Sequence, residues 1–263
     1  MNGMKWLFLV TAVATLATAC GDDDDGDGGG TGGTATGGGG TGGSATGGEG
    51  GGAGSANVLD ISVCDPENGP FSLTIDNPYF PLVVGQKSVF DGEEDGAPVH
   101  LEITVLDETE DVAGVTTRVV EERELEDDVL VEISRNFFAQ APDGTVCYFG
   151  EEVDIYDDTG MTVESHEGAW LADGADNRPG IIMPSEDAIE LNVEYDQEAA
   201  PGVAEDHAKI VAIGASITVP AGTFDETINT EETTPLEPGS VSEKSYARGV
   251  GLLEDGELKL TSY

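Results

Sequence analysis

The sequence is poor in positive charge: 10 Lys and Arg stand against 53 Asp and Glu, a formal net charge of −43. Six of the acids and one of the bases precede Asn57, which leaves residues 57–263 with 47 acids against 9 bases. A surface that negative repels nucleic-acid phosphates and anionic membranes, so nucleic-acid binding is excluded as a function class. It suits solubility in salty surroundings, and among charged species it attracts cations or cationic partners. Histidine and cysteine are scarce, with three of each. Gly-x-Ser-x-Gly, His-Glu-x-x-His, the phosphate-binding loop and the dinucleotide fingerprint are all missing from residues 57–263. No standard catalytic signature therefore points to an enzyme, and no cofactor is expected. Helical periodicity is missing too: no stretch sustains it, and the best candidate, Pro184 to Leu191, is short.

What the chain has in excess is glycine, and half of it lies in one place. Of 38 glycines, 19 fall between Gly21 and Gly54, where Thr, Ser and Ala fill most of the remainder. Such a segment has almost no apolar surface to bury and cannot offset the backbone entropy of folding. The near-repeats beginning at Thr31 and Thr41 are low complexity rather than a folded repeat. Residues 20–56 are therefore expected to be a disordered Gly-rich linker, spanning roughly 35 Å on average and roughly 120 Å at full stretch. Asp23, Asp25 and Asp27 before Gly28 mimic the start of a calcium loop, but Thr34 stands where the closing Glu belongs, so the run reads as spacer. The folding unit is then 57–263, long enough for a real core.

The N-terminus reads as a signal peptide over residues 1–19. Lys5 gives the positive start, and Trp6 to Ala19 is an uncharged, mostly apolar run. That run is shorter than the roughly 20 residues needed to span a bilayer as a helix. Leu16-Ala17-Thr18-Ala19-Cys20 resembles the lipobox of bacterial lipoproteins, with Leu16 one position earlier than in the commonest pattern. The resemblance implies cleavage before Cys20 and lipidation of Cys20, so the membrane becomes a partner through the anchor. Two or three acyl chains, at about 0.8 kcal/mol per buried CH₂, hold stably where one does not. Gly21 rather than Asp after the cysteine, and the acidic run that follows, resemble lipoproteins sorted to an outer membrane or the cell surface.

Along 57–263 the dominant pattern is alternation. Val99, Leu101, Ile103 and Val105 alternate with His100, Glu102 and Thr104, the signature of a half-buried strand. Val115 to Arg123, Val129 to Phe138, Thr145 to Phe149, Glu152 to Tyr156 and Met161 to Ser165 are further strand candidates. Later ones are Ala208 to Ile213, Ser216 to Val219, Phe224 to Thr230, Ser242 to Ala247, and Leu252 to Thr261 with a bend at Asp255-Gly256. The expected fold is all-β: a large antiparallel meander of roughly 10–12 strands forming a curved sheet or partly closed barrel, with a two-sheet β-sandwich as the alternative. In an exported chain the two remaining thiols, Cys64 and Cys147, most simply pair. The loop so closed contributes roughly 4–5 kcal/mol in the chain-entropy picture.

Several segments together resemble uncharacterised exported bacterial lipoproteins with an all-β, half-barrel-like domain. They are Asn77-Pro-Tyr-Phe-Pro-Leu82, Tyr148-Phe-Gly-Glu151, Pro179-Gly-Ile-Ile-Met-Pro184, Val219-Pro-Ala-Gly-Thr-Phe224, Thr234-Pro-Leu-Glu-Pro-Gly239 and Tyr246-Ala-Arg-Gly-Val-Gly251. The resemblance covers most of Asn77 to Leu253, implies the fold, and carries no activity with it. His100 sits on the polar face of its strand. His166 and His207 each stand among carboxylates, Glu164 and Glu167 for one, Glu205 and Asp206 for the other. They form a metal site if the fold joins them. The functional expectation is a lipid-anchored cell-envelope lipoprotein acting as a non-catalytic binding or surface module. The alternatives are a carrier of an apolar ligand in a curved β-sheet, which requires an open apolar cavity, and a metal-dependent enzyme, which requires His166 and His207 to converge.

Overall fold

The computed structural model describes residues 57–263, so the signal segment, Cys20 and the Gly-rich tether lie outside the described residues. The chain opens with a two-residue strand, β1 (Asn57–Val58), and two short 3-10 turns, Ile61–Cys64 and Pro66–Asn68. A first meander follows: β2 (Lys87–Glu94), β3 (Ala97–Val112), β4 (Val115–Glu126), β5 (Val129–Gln140) and β6 (Val146–Tyr156). Three shorter strands lie against β6: β7 (Val163–Ser165), β8 (Trp170–Leu171) and β9 (Gly180–Met183). The second meander comprises β10 (Val193–Asp196), β11 (His207–Val219), β12 (Gly222–Thr233), β13 (Ser242–Ala247), β14 (Gly251–Asp255) and β15 (Leu258–Ser262).

All of these strands belong to one sheet, in the order β1-β10-β11-β12-β13-β14-β15-β2-β3-β4-β5-β6-β7, with β8 and β9 also on β6. Every pairing is antiparallel except β1 with β10. The all-β fold expected from the alternation is what the chain adopts, as one large sheet that is not closed into a barrel. The strand count is higher than expected, at 15. The two segments read separately over 208–219 are one strand, because shifts of register near Gly214 break the alternation without breaking the ladder. The candidate helix at 184–191 is a single 3-10 turn, Glu186–Ala188.

Local chemistry sets the hairpins. Asp95-Gly96, Ala113-Gly114 and Asp127-Asp128 each have two successive positive φ values, the two-residue turn whose twist matches that of the flanking strands. These tight turns lock the register of β2 to β5. Leu101 then faces Phe90 and Glu124, Ile103 faces Ser88 and Glu122, and Val105 faces Val120. On the other meander Thr230 faces Ile210 and Lys244, and Lys244 faces Asp255. Directly opposed residues share a face, so these rows form the inside of the curve.

The inside is tied down at several places. The Cys64–Cys147 disulfide joins the first 3-10 turn to β6 across a Cα separation of 5.5 Å. Phe138 stacks on Tyr148 at 4.9 Å, Trp170 meets Tyr148 edge-on at 5.4 Å, and Phe80 meets Phe138 at 5.3 Å. The sheet does not close by a continuous ladder. At the seam, a bridge between Arg178 and Ala199 links the lead-in to β9 with the chain after β10. Gly180 makes this approach possible: a Cβ there lies 2.0 Å from the carbonyl oxygen of Gln197. Among the described residues no helix is long and apolar enough to cross a membrane.

Candidate functional site: an apolar cavity with a charged floor

A cavity of ≈ 80 Å³ opens on the inside of the curve, bounded by both meanders and by the segment before β2. On that measure a single water needs about 10–15 Å³, so the space takes several waters or one short organic molecule. Phe80, Leu82, Ile103, Val105, Phe138 and Leu252 supply much of its apolar wall. Besides the Tyr246 phenol, three ionisable side chains reach it: Glu122 from β4, Lys244 from β13 and Asp255 from β14.

The wall is held in place by buried polar contacts. Asn77, only 2 % exposed, donates through Nδ2 to the carbonyls of Gly144 at 2.9 Å and Pro184 at 2.8 Å, while its Oδ1 accepts from the Tyr79 amide at 2.9 Å. These bonds fix the stretch that carries Phe80 and Leu82. On the facing side the Gly249 amide donates to the Pro78 carbonyl, and the Arg248 guanidinium lies over the Tyr79 ring at 5.4 Å. Arg248 in turn pairs with Glu186. Three of the sequence segments singled out above therefore meet at one mouth: the one around Tyr79-Phe80, the one containing Ile182, and the one from Tyr246 to Gly251.

The floor is an ion cluster. Lys244 Nζ lies 3.4 Å from Glu232 Oε2 and 3.3 Å from Asp255 Oδ2, and all three side chains are nearly or fully buried. Glu232 Oε1 also accepts from Gln197 Nε2 at 2.9 Å. Burial by itself lowers the tendency of Lys244 to hold its proton, but Asp255, Glu232 and Glu122 more than reverse this and hold its pKa above the ordinary lysine value. Lys244 is thus a charged ammonium, not the neutral amine that attacks carbonyls. Burial raises Glu232 as well, against the pull of Lys244.

Further carboxylates line the same inner face. Burial pushes Glu122 up to about 7, with Lys244 pulling it down and Asp255 pushing it up. Glu124 rises to about 8 through burial and the repulsion of Glu94 and Asp255, and Glu132 to about 9 through burial and Glu151. Glu151 rises to about 8 for the same first reason, with Glu122 adding repulsion and the nearby Tyr148 hydroxyl opposing it. The Tyr148 hydroxyl gives its one proton to Asn136 Oδ1 at 2.5 Å. Glu198 and Asp206 are raised too, chiefly by burial. This face is therefore acidic but partly protonated near neutral pH.

The metal site expected at His166 and His207 is not formed. His166 is held at the β6–β7 end, its Nδ1 2.8 Å from the Val153 carbonyl and 2.9 Å from Asp154 Oδ1. His207 opens β11, its Nδ1 2.6 Å from Asp196 Oδ1 on β10. Each histidine is thus held by partners on its own pair of strands, β6 with β7 and β10 with β11. Among the described residues no group of three or more His, Cys, Asp or Glu side chains is arranged to hold a metal ion. His100 lies on the outer face beside Asp91, 2.7 Å from Nδ1 to Oδ1. Sequence reasoning missed Glu122, Glu232, Lys244 and Asp255. The available signal was that Glu122 and Glu124 continue the face of Val120, and Lys244 that of Tyr246.

Comparison with protein-family models, with curated proteins and with solved structures finds no match to this chain.

Proposed function

We propose that this chain is a lipid-anchored cell-envelope protein, at the outer membrane or cell surface. Its β-domain is a non-catalytic binding module that holds a small, mainly apolar ligand in the cavity above Lys244. The observation that carries the reading is the cavity itself: apolar walls from both meanders converge on a few fixed polar groups, the usual make-up of a small-molecule site. The lining contains no histidine or cysteine, and its lysine is engaged by two carboxylates, so the groups present orient a ligand rather than attack one. The lipobox-like Leu16 to Cys20 supports the anchor, and the Gly-rich tether supports presentation away from the lipid surface.

The test is to purify the full chain from its own envelope without harsh denaturation, extract it, and identify co-purifying small molecules by mass spectrometry. A near-stoichiometric compound with an apolar body is the expected result, and Leu252→Trp, which fills the cavity, is expected to abolish it. A chain that carries nothing, and binds no short-chain apolar compound when these are added back, overturns the reading. For the anchor, radiolabelled fatty acid is expected on the wild-type chain and not on Cys20→Ala.

A further inference from the structure

We infer that the ligand taken by this cavity is a short organic cation, an ammonium group on a small apolar body, bound with its charge at Glu122. The inference rests on the cavity reading above and adds the chemistry of the ligand's polar end.

The argument is a charge count at the floor. Lys244 is the single cation among the lining residues, and Glu232 and Asp255 flank it at 3.4 and 3.3 Å. Its charge is already countered. Glu122 is the third acid of the cluster. It lines the cavity from β4, between Ile103 on β3 and Ser134 on β5, and none of its contacts is a hydrogen bond to another described residue. Its neighbours on the inner face are the apolar Val120 and Ile103 together with Ser134 and a further acid, Glu124, so no positive group adjoins it on the inner face of its own strand.

An anionic head group, such as that of a fatty acid, would have to displace Glu232 or Asp255 from Lys244 while facing Glu122, and like charges at short range in a buried site are strongly unfavourable. A neutral hydroxyl gains a hydrogen bond but leaves the charge imbalance in place. An ammonium supplies both a donor and the missing positive charge, and charge-assisted bonds of this type are roughly twice as strong as neutral ones. The hydrocarbon part then packs on Phe80, Leu82, Val105 and Phe138, in a volume that admits only a short chain. The field of the whole domain works in the same direction, since its 47 acids against 9 bases concentrate cations near the mouth.

The experiment uses three probes of one length that differ only at the head: n-butylammonium, n-butanol and butyrate. Each is titrated by NMR into the full chain carrying Cys20→Ser, so that no detergent competes for the cavity, at about pH 8, where a carboxyl of pKa about 7 is mostly ionised. Butylammonium is expected to bind about tenfold more tightly than butanol, and butyrate more weakly than either. Glu122→Gln, which removes the charge and keeps the shape, is expected to bring the ammonium down to the level of butanol and to leave butanol within about twofold. Butanol binding with no preference for the ammonium, or a preference unchanged in Glu122→Gln, overturns this inference and leaves the cavity reading standing. Failure of all three probes overturns both.

Discussion

Lys244 and Glu232 form an ion pair, 3.4 Å from Nζ to Oε2, in which neither side chain reaches solvent beyond 3 %. Asp255 completes the arrangement from the other side at 3.3 Å. The pair joins two neighbouring strands of the second meander under the cavity, so what holds the fold and what shapes the floor are the same groups.

Lys244→Met is therefore expected to be costly, because it leaves two buried carboxylates without a counter-charge. The expected loss is about 3–5 kcal/mol, read as a lower urea midpoint. Adding Glu232→Gln to the same chain is expected to restore part of that loss, since it removes one of the stranded charges. A Lys244→Met chain as stable as wild type would contradict the burial and pairing described here.

The raised inner-face carboxyls make stability fall as pH rises. The ordinary value for a glutamate is 4.5, and burial takes Glu124 and Glu151 to about 8 and Glu132 to about 9. Between these limits the folded chain keeps protons that the unfolded chain releases. Stability is then fully present below about pH 4.5 and is lost progressively up to pH 8 or 9. Lys244, whose value is raised, contributes throughout this window and loses its effect only above it. The urea midpoint is expected to be higher at about pH 5.5 than at about pH 8.5, and Glu151→Gln is expected to flatten the difference. A midpoint that climbs with pH across this range would be incompatible with these assignments.

Cys64 and Cys147 are 83 positions apart, and their bond fastens the lead-in segment to a strand whose first four residues, Val146 to Phe149, are fully buried. Replacing both with Ala is expected to cost about 2–5 kcal/mol. The melting temperature of wild type should drop to that of the double variant on adding a thiol reductant and should not change in the variant itself. Equal melting with and without reductant in wild type would show that the bond is absent or contributes nothing.

Much of the sheet is legible in the sequence because its cause is local. The alternation from Val99 to Val105 needs only that one face be buried, and Asp95-Gly96 announces its own turn through residues that accept positive φ. The disulfide follows from there being two thiols left over. The floor of the cavity is different. Glu232, Lys244 and Asp255 look like ordinary members of a very acidic surface until β12, β13 and β14 are placed side by side with Glu232 beside Ser242 and Lys244 beside Asp255. Charge count pointed the wrong way for these side chains: with so many acids, the solvated face was the natural reading, and only register reveals which ones are inside. The histidines show the converse. His166 and His207 each have nearby acids in the sequence, yet in a chain this acidic that adjacency carries no information about convergence.

The two meanders are stitched together by β15 against β2, where Leu260 faces Phe90 and the Thr261 hydroxyl donates to the Val89 carbonyl across 172 positions of sequence. Whatever route the chain takes, β2 emerges first and this pairing waits for Leu258–Ser262. Before that moment β2 is an exposed edge with Phe90 uncovered, and the cavity lacks one of its sides. Joining of the two halves thus depends on β15: loss of Leu258–Ser262 removes the strand on which they meet and leaves two ribbons with open flanks, the state in which β proteins most readily pair with one another instead of with themselves.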